Sequence, residues 1–193
     1  DLRGIVGGEV SGSTLEGLLA EMRAEEWYER SRLEAGPFGF GAVTHGSRDP
    51  GGTTIRNDGS RIGVVYGAIT NRETLGWSMA EVFERVLDAP ASTLEHLDGP
   101  FVLAVADASE DRVVVAIYKL GTRRCYFTDQ DRLLFGTSVA PLLSHVPDPT
   151  LDERGLTDLL TIGQVWGGRT LVSQVESMPP GGYLEYDGTS ETV

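Results

Sequence analysis

The sequence predicts an α+β domain with many antiparallel strands and few helices, arranged as two stacked sheets flanked by helices. Three observations carry this. Short apolar runs recur along the 193-residue chain, bounded by clusters of Gly, Pro, Asn and Asp. Two pairs of runs are joined by short polar turns, Ser109-Glu110-Asp111 and Asp129-Gln130-Asp131, as hairpins require. Helical periodicity is confined to a few segments.

In chain order, residues 4–10 (GIVGGEV) read as a short buried strand at the centre of a sheet. Ser13-Thr14-Leu15-Glu16 has the form of a capping box, and Leu15, Leu18, Leu19 and Met22 follow at helical spacing, so a helix is expected to about Arg30. Residues 38–45 read as a strand. Residues 47–60 read as a loop, because Asp49-Pro50-Gly51-Gly52 and Asn57-Asp58-Gly59 are strong turn signals. A strand is expected over 61–68 and a helix over 79–87. The runs 101–108 and 113–118 form one hairpin, and 124–128 with 133–137 a second. A helix follows Asp152, with Leu156, Leu159 and Leu160 on one face. Met178-Pro179-Pro180-Gly181-Gly182 leads into a last strand over 183–186. No linker or repeat interrupts the chain, so residues 1–193 read as one domain.

Composition excludes several function classes. Apolar residues are 40% of the chain and charged residues 23%, ordinary for a soluble protein. No run approaches the roughly 18 apolar residues of a membrane span. Asp1-Leu2-Arg3-Gly4 opens the chain without a basic or apolar leader pattern, so no secretory signal is expected. The single cysteine, Cys125, excludes an internal disulfide and a cysteine-based zinc site, and a cytoplasmic location is expected. The formal net charge is -13. The cations are fifteen arginines and one lysine, Lys119. An acidic protein of this kind is expected to be halophilic, since high salt screens the repulsion of an acidic surface; a GC-rich genome, which favours Arg over Lys, is the alternative. A surface this acidic argues against nucleic-acid and anionic-membrane partners, which call for basic patches.

Five segments, in order, resemble the type 2 glutamine amidotransferase domain of asparagine synthetases. They are Gly4-Ile5-Val6-Gly7, Asp98-Gly99-Pro100-Phe101 with the run ending at Asp107, Leu120-Gly121-Thr122-Arg123-Arg124-Cys125-Tyr126-Phe127, Leu134-Phe135-Gly136-Thr137-Ser138 with Leu142-Leu143, and Pro179-Pro180-Gly181-Gly182-Tyr183-Leu184. That family belongs to the N-terminal nucleophile hydrolases, so the resemblance implies a four-layer αββα sandwich of two mainly antiparallel sheets. It also implies a following synthetase domain, which carries an ATP-binding S-G-G-x-D-S loop. Neither that loop nor a G-x-x-x-x-G-K-[ST] loop occurs here, so no cofactor is expected in this chain, and ATP and Mg belong only to a C-terminal domain.

The family reaction needs an N-terminal cysteine whose own amine is the base, an oxyanion hole from an N-G-E segment, an Arg for the substrate carboxylate and an Asp for its ammonium. The position before Gly4 is Arg3, which cannot be a nucleophile, and two residues precede it. The oxyanion segment aligns with Tyr66-Gly67-Ala68, which keeps a glycine amide and replaces the Asn donor by Tyr66. The ammonium partner aligns with Met79 in Ser78-Met79-Ala80-Glu81-Val82. The carboxylate-binding R-G-P-D segment finds its nearest counterpart in Glu34-Ala35-Gly36-Pro37-Phe38, without either charge. The expectation is therefore a pseudoenzyme domain with no catalytic residues, no metal site and an unknown substrate site.

Other residues read as structural. Cys125 is expected to be a packed core thiol. His45, His96 and His145 have no metal spacing. Gly7-Gly8 reads as strand-end geometry, and Glu81, Glu84, Asp152 and Glu153 as solvated helix positions. Trp27, Tyr28, Trp77 and Trp166 are core or interface candidates. The reading that fits best is a scaffold for a C-terminal adenylating domain in an amide ligase, with that domain or a homo-oligomer as partner. A stand-alone binding or interaction module and an active glutamine-hydrolysing domain remain as alternatives.

Overall fold

The computed structural model describes residues 4–22, 28–45, 53–187 and 191–192. The chain runs β1 (Gly4–Glu9), α1 (Gly12–Glu21), β2 (Glu29–Ala35), β3 (Phe38–Thr44), β4 (Thr53–Asn57) and β5 (Arg61–Gly67). It continues α2 (Arg72–Leu75), α3 (Met79–Asp88), α4 (Pro90–His96), β6 (Phe101–Asp107), β7 (Arg112–Ile117), β8 (Tyr126–Thr128) and β9 (Leu134–Gly136). It ends α5 (Ala140–Leu143), α6 (Glu153–Ile162), β10 (Glu176–Ser177), β11 (Tyr183–Tyr186) and β12 (Glu191–Thr192). The strands form two six-stranded sheets, ordered β10-β8-β9-β1-β3-β2 and β12-β11-β7-β6-β5-β4, and the paired strands within each are antiparallel.

Strand periodicity divides the apolar residues among three cores. Ile5 of β1, Phe38 and Phe40 of β3, Val64 of β5, Val102 of β6 and Val115 of β7 meet between the two sheets. Their neighbours point outward: Val6 and Val43 pack with Leu15, Leu18 and Leu19 of α1, while Leu103, Val105 and Val114 pack with Val82, Phe83 and Val86 of α3. Both faces of each central strand are therefore buried, so β6 and β7 read as unbroken apolar runs rather than as alternation. Glycines let the helices approach. A Cβ on Gly41 would stand 2.7 Å from Leu19, and one on Gly63 2.7 Å from Phe83. The result is the expected αββα sandwich, with β1 an interior strand.

Three local expectations are corrected. The capping box at Ser13 and Glu16 does not form. The helix starts after Ser11, whose hydroxyl meets those of Ser13 and Thr14, and the Glu16 carboxylate instead accepts from Arg32 Nη1 at 2.7 Å. The helix ends at Glu21, and Glu29-Arg30 belong to β2, which pairs with β3 over its full length; tertiary pairing overrides the local helical pattern. Within the supposed loop 47–60, Thr53–Asn57 is an edge strand on β5, its Thr-Thr-Ile run favouring extended backbone. A capping box does form at α3, where Glu81 N donates to Ser78 Oγ and Ser78 N to the Glu81 carboxylate. No helix among the described residues is long and apolar enough to cross a membrane.

Candidate functional site

The site is built where β1 begins. Gly4 lies opposite Val43 of β3, and the strand start is pinned by Thr137, just after β9. Ile5 N donates to Thr137 Oγ1 at 3.1 Å, and Thr137 N donates to Ile5 O at 2.9 Å. Gly4 has φ 145°, and a Cβ there would overlap the Thr137 hydroxyl, so only glycine fits. Arg3, the position expected to replace the nucleophile, lies outside the described residues, as do Asp1 and Trp27. Beyond Thr44, the rings of Tyr28 and His45 stack at 4.5 Å on this same end of the sheet.

Tyr66 and Gly67 close β5. Gly67 has φ 98°, and a Cβ would overlap the Pro100 carbonyl oxygen and stand 2.6 Å from Arg123 Nε. Arg123 donates from Nε to that same carbonyl at 2.9 Å and lays its guanidinium 4.2 Å from the centre of the Tyr66 ring. Tyr66 is half-buried and packs against the core between the sheets. Tyr66, the residue that the resemblance aligns with an oxyanion donor, is thus a phenol ring covered by a cation.

The other expected positions are not drawn into one cluster with these. Met79 is the first residue of α3 and packs into the outer core with Phe83, whereas Tyr66 faces the inner one. Gly36-Pro37 forms the β2–β3 turn beside Phe38, which pairs with Glu9, so it lies about 17 Å along the sheet from Gly4. That segment cannot serve the start of β1.

Cys125 is fully buried, and burial pushes its thiol up to about 12, partly countered by hydrogen bonding with the Gly136 and Tyr126 backbone. Such a thiol is a packing group, not a nucleophile. His96 Nδ1 is 2.7 Å from Ser92 O, within its own helix, and His145 Nδ1 is 2.9 Å from Ser144 Oγ. Among the described residues no group of three or more His, Cys, Asp or Glu could hold a metal. Asp152 caps α6 by accepting from Gly155 N at 2.7 Å.

Arg123 is the residue that sequence reading missed. It also lines an open cleft of about 490 Å³ with Arg124, Trp166, Gly168, Met178 and Pro179. A double arginine before Cys125 was the only signal for it, since its partners Tyr66 and Pro100 are distant in sequence.

Residues 71–193 match the family described as glutamine amidotransferase domain. No curated protein sequence matches the chain. Among the solved structures that resemble it are two enzymes. One is the glutamine phosphoribosylpyrophosphate amidotransferase from B. subtilis, complexed with ADP and GMP, at 11% identity and a TM-score of 0.61. The other is described as the allosteric regulatory enzyme of purine biosynthesis, at 12% identity and a TM-score of 0.61. In both the likeness covers 98% of this chain and 48% of the solved one, so the chain spans about half their length.

Proposed function

The chain belongs to the glutamine amidotransferase family, with the N-terminal nucleophile hydrolase fold, and from that premise we propose that it is a catalytically degenerate member. On this reading it is the glutaminase-like domain of an asparagine-synthetase-like amide ligase and acts as scaffold for a C-terminal adenylating domain. That domain would activate a carboxylate with ATP and Mg²⁺ and join it to an amine not released from glutamine here. The observation that supports the reading is the end of β5, where Arg123 covers the Tyr66 ring at 4.2 Å; by the resemblance, Tyr66 is the residue that takes the donor position of the oxyanion hole.

Three consequences follow in the chemistry. The loss of one oxyanion donor alone costs about 100- to 1,000-fold in rate. Met79, packed in the outer core, offers no charge to a substrate ammonium. Arg3 supplies no nucleophile. That the solved relatives carry this fold as only 48% of their length fits a domain that works beside another.

The test is ammonia release from glutamine by the pure chain at high salt. The expected result is none above a buffer control, for the parent and for Arg3→Cys alike, because that single change restores neither the oxyanion donor nor the ammonium partner. Steady turnover by either protein would overturn the reading.

A further inference from the structure

The described residues expose eight large apolar side chains, and six of them fall in one stretch: Leu151, Leu159, Leu160, Ile162, Trp166 and Leu171. Leu160 is 77% exposed and Trp166 58%. The helix at the centre of this stretch, α6, buries only Gly155 of its ten residues. Of the three leucines that the sequence places on one face, Leu156 is half-buried while Leu159 and Leu160 are exposed, and none belongs to any of the three cores. An apolar concentration of this kind on a soluble domain marks a contact surface.

The surface is pre-formed. Asp158, on α6, accepts from Arg169 Nη2 at 2.6 Å and from Trp166 N at 3.3 Å, which ties the following loop back onto the helix and holds the indole beside the cleft. The cleft lining includes Arg123 and Arg124 and no carboxylate, in a chain whose formal net charge is -13. Arg124 is exposed and has no partner among the described residues.

We propose that α6 and this cleft form the docking surface for a second protein domain, one that presents an apolar ridge bearing a carboxylate. Resting on the ligase reading above, that partner is its adenylating domain. The ridge covers Leu159, Leu160 and Ile162, Trp166 acts as the buried anchor, and the carboxylate meets Arg124. A small anionic ligand in the cleft would leave Leu159, Leu160 and Ile162 bare, because none of them lines it. A second copy of this chain fits poorly. Two chains of formal charge -13 repel, most strongly at low salt.

The experiment compares hydrogen exchange over 153–169 in the isolated chain and in the parent protein that carries both domains. Amide exchange in this stretch is expected to slow about tenfold or more in the parent. Leu160→Asp and Trp166→Ala should each return it to the isolated-chain rate, and since both side chains are exposed neither variant threatens the fold. Equal exchange in the two proteins overturns the proposal. So does protection that grows with concentration in the isolated chain, which would assign the surface to a second copy, or protection by a small anion alone. ATP-dependent amide formation by the parent is measured in parallel. Protection without amide formation retains the docking surface and removes the ligase reading, whereas amide formation without protection removes the docking surface alone.

Discussion

Gly67→Ala should destabilise the fold by about 4 kcal/mol, because two costs coincide at one atom. The backbone there has φ 98°, a region that costs a residue with a side chain roughly 1–3 kcal/mol. The new methyl would also overlap the Pro100 carbonyl oxygen. That oxygen cannot retreat freely, since it accepts from Arg123 Nε at 2.9 Å and from Ala68 N at 3.4 Å, and Phe101, the next residue, pairs with Gly67 in the sheet. Forcing extra volume into such a place costs about 1–3 kcal/mol more. For a domain of this size the sum lowers Tm by about 8–16 °C. Gly163→Ala is the control. Gly163 has φ 79° at the end of α6, and nothing lies within 4 Å of the point its new methyl would occupy, so only the backbone cost, about 1–2 kcal/mol, applies. Urea unfolding followed by circular dichroism reads both variants at constant salt. A Gly67→Ala loss no larger than that of Gly163→Ala would refute the argument that close approach to Pro100 fixes this glycine.

Three further outcomes are expected. Burial pushes the Asp107 carboxyl up, but hydrogen bonds from Ser109 and Arg61 more than offset this and hold it below the ordinary carboxylate range. A depressed folded value gives stability that is present above about pH 4 and lost as pH falls through that lower value, so Asp107→Asn should flatten the acid limb of unfolding midpoint against pH; parallel profiles would refute this. Raising KCl from dilute buffer to molar concentration should raise Tm, as screening relieves the repulsion of a chain with net charge -13, and an unchanged Tm would remove the salt-adapted reading. Cys125 should resist a thiol-specific disulfide reagent in the native state and react fully in denaturant, because its thiol is buried and its pKa is raised to about 12; rapid native labelling would contradict the packing.

Much of the fold was legible because most strands bury both faces. Continuous runs such as Phe101–Asp107 and Arg112–Ile117 have no competing interpretation when polar turns bracket them. The failures share a cause. Glu29–Ala35 and Thr53–Asn57 are edge strands with largely exposed side chains, so their extended state is set by pairing with β3 and β5, not by an apolar pattern of their own. The capping box at Ser13 failed for a similar reason: the Glu16 carboxylate is taken by Arg32 of β2, a partner no local window contains. At the site, Tyr66 and Gly67 were singled out by the resemblance alone, and the structure puts both at the end of β5. Arg123 could not be singled out, since only the folded sheet brings the loop before β8 against the end of β5.

The described site positions suggest how such a domain could lose its chemistry and keep its shape. A polar pocket carries unpaired donors and charges, which cost stability unless a ligand satisfies them. Here Tyr66 and Met79, the two described positions that the resemblance reads as substituted, both add packing. Tyr66 lies against the core between the sheets, and Met79 enters the outer core with Val82 and Phe83. Gly4 and Gly67 remain glycines for steric reasons that need no catalysis, since a methyl at either overlaps Thr137 or Pro100. On the degenerate reading, then, the glycines that persist are the ones the fold itself requires. On the same reading, an aromatic ring and a thioether that fill space stand where turnover would need polar groups. The same logic explains why α6 can keep Leu159 and Leu160 exposed: their contribution would lie in a contact with another domain rather than in any of the three cores.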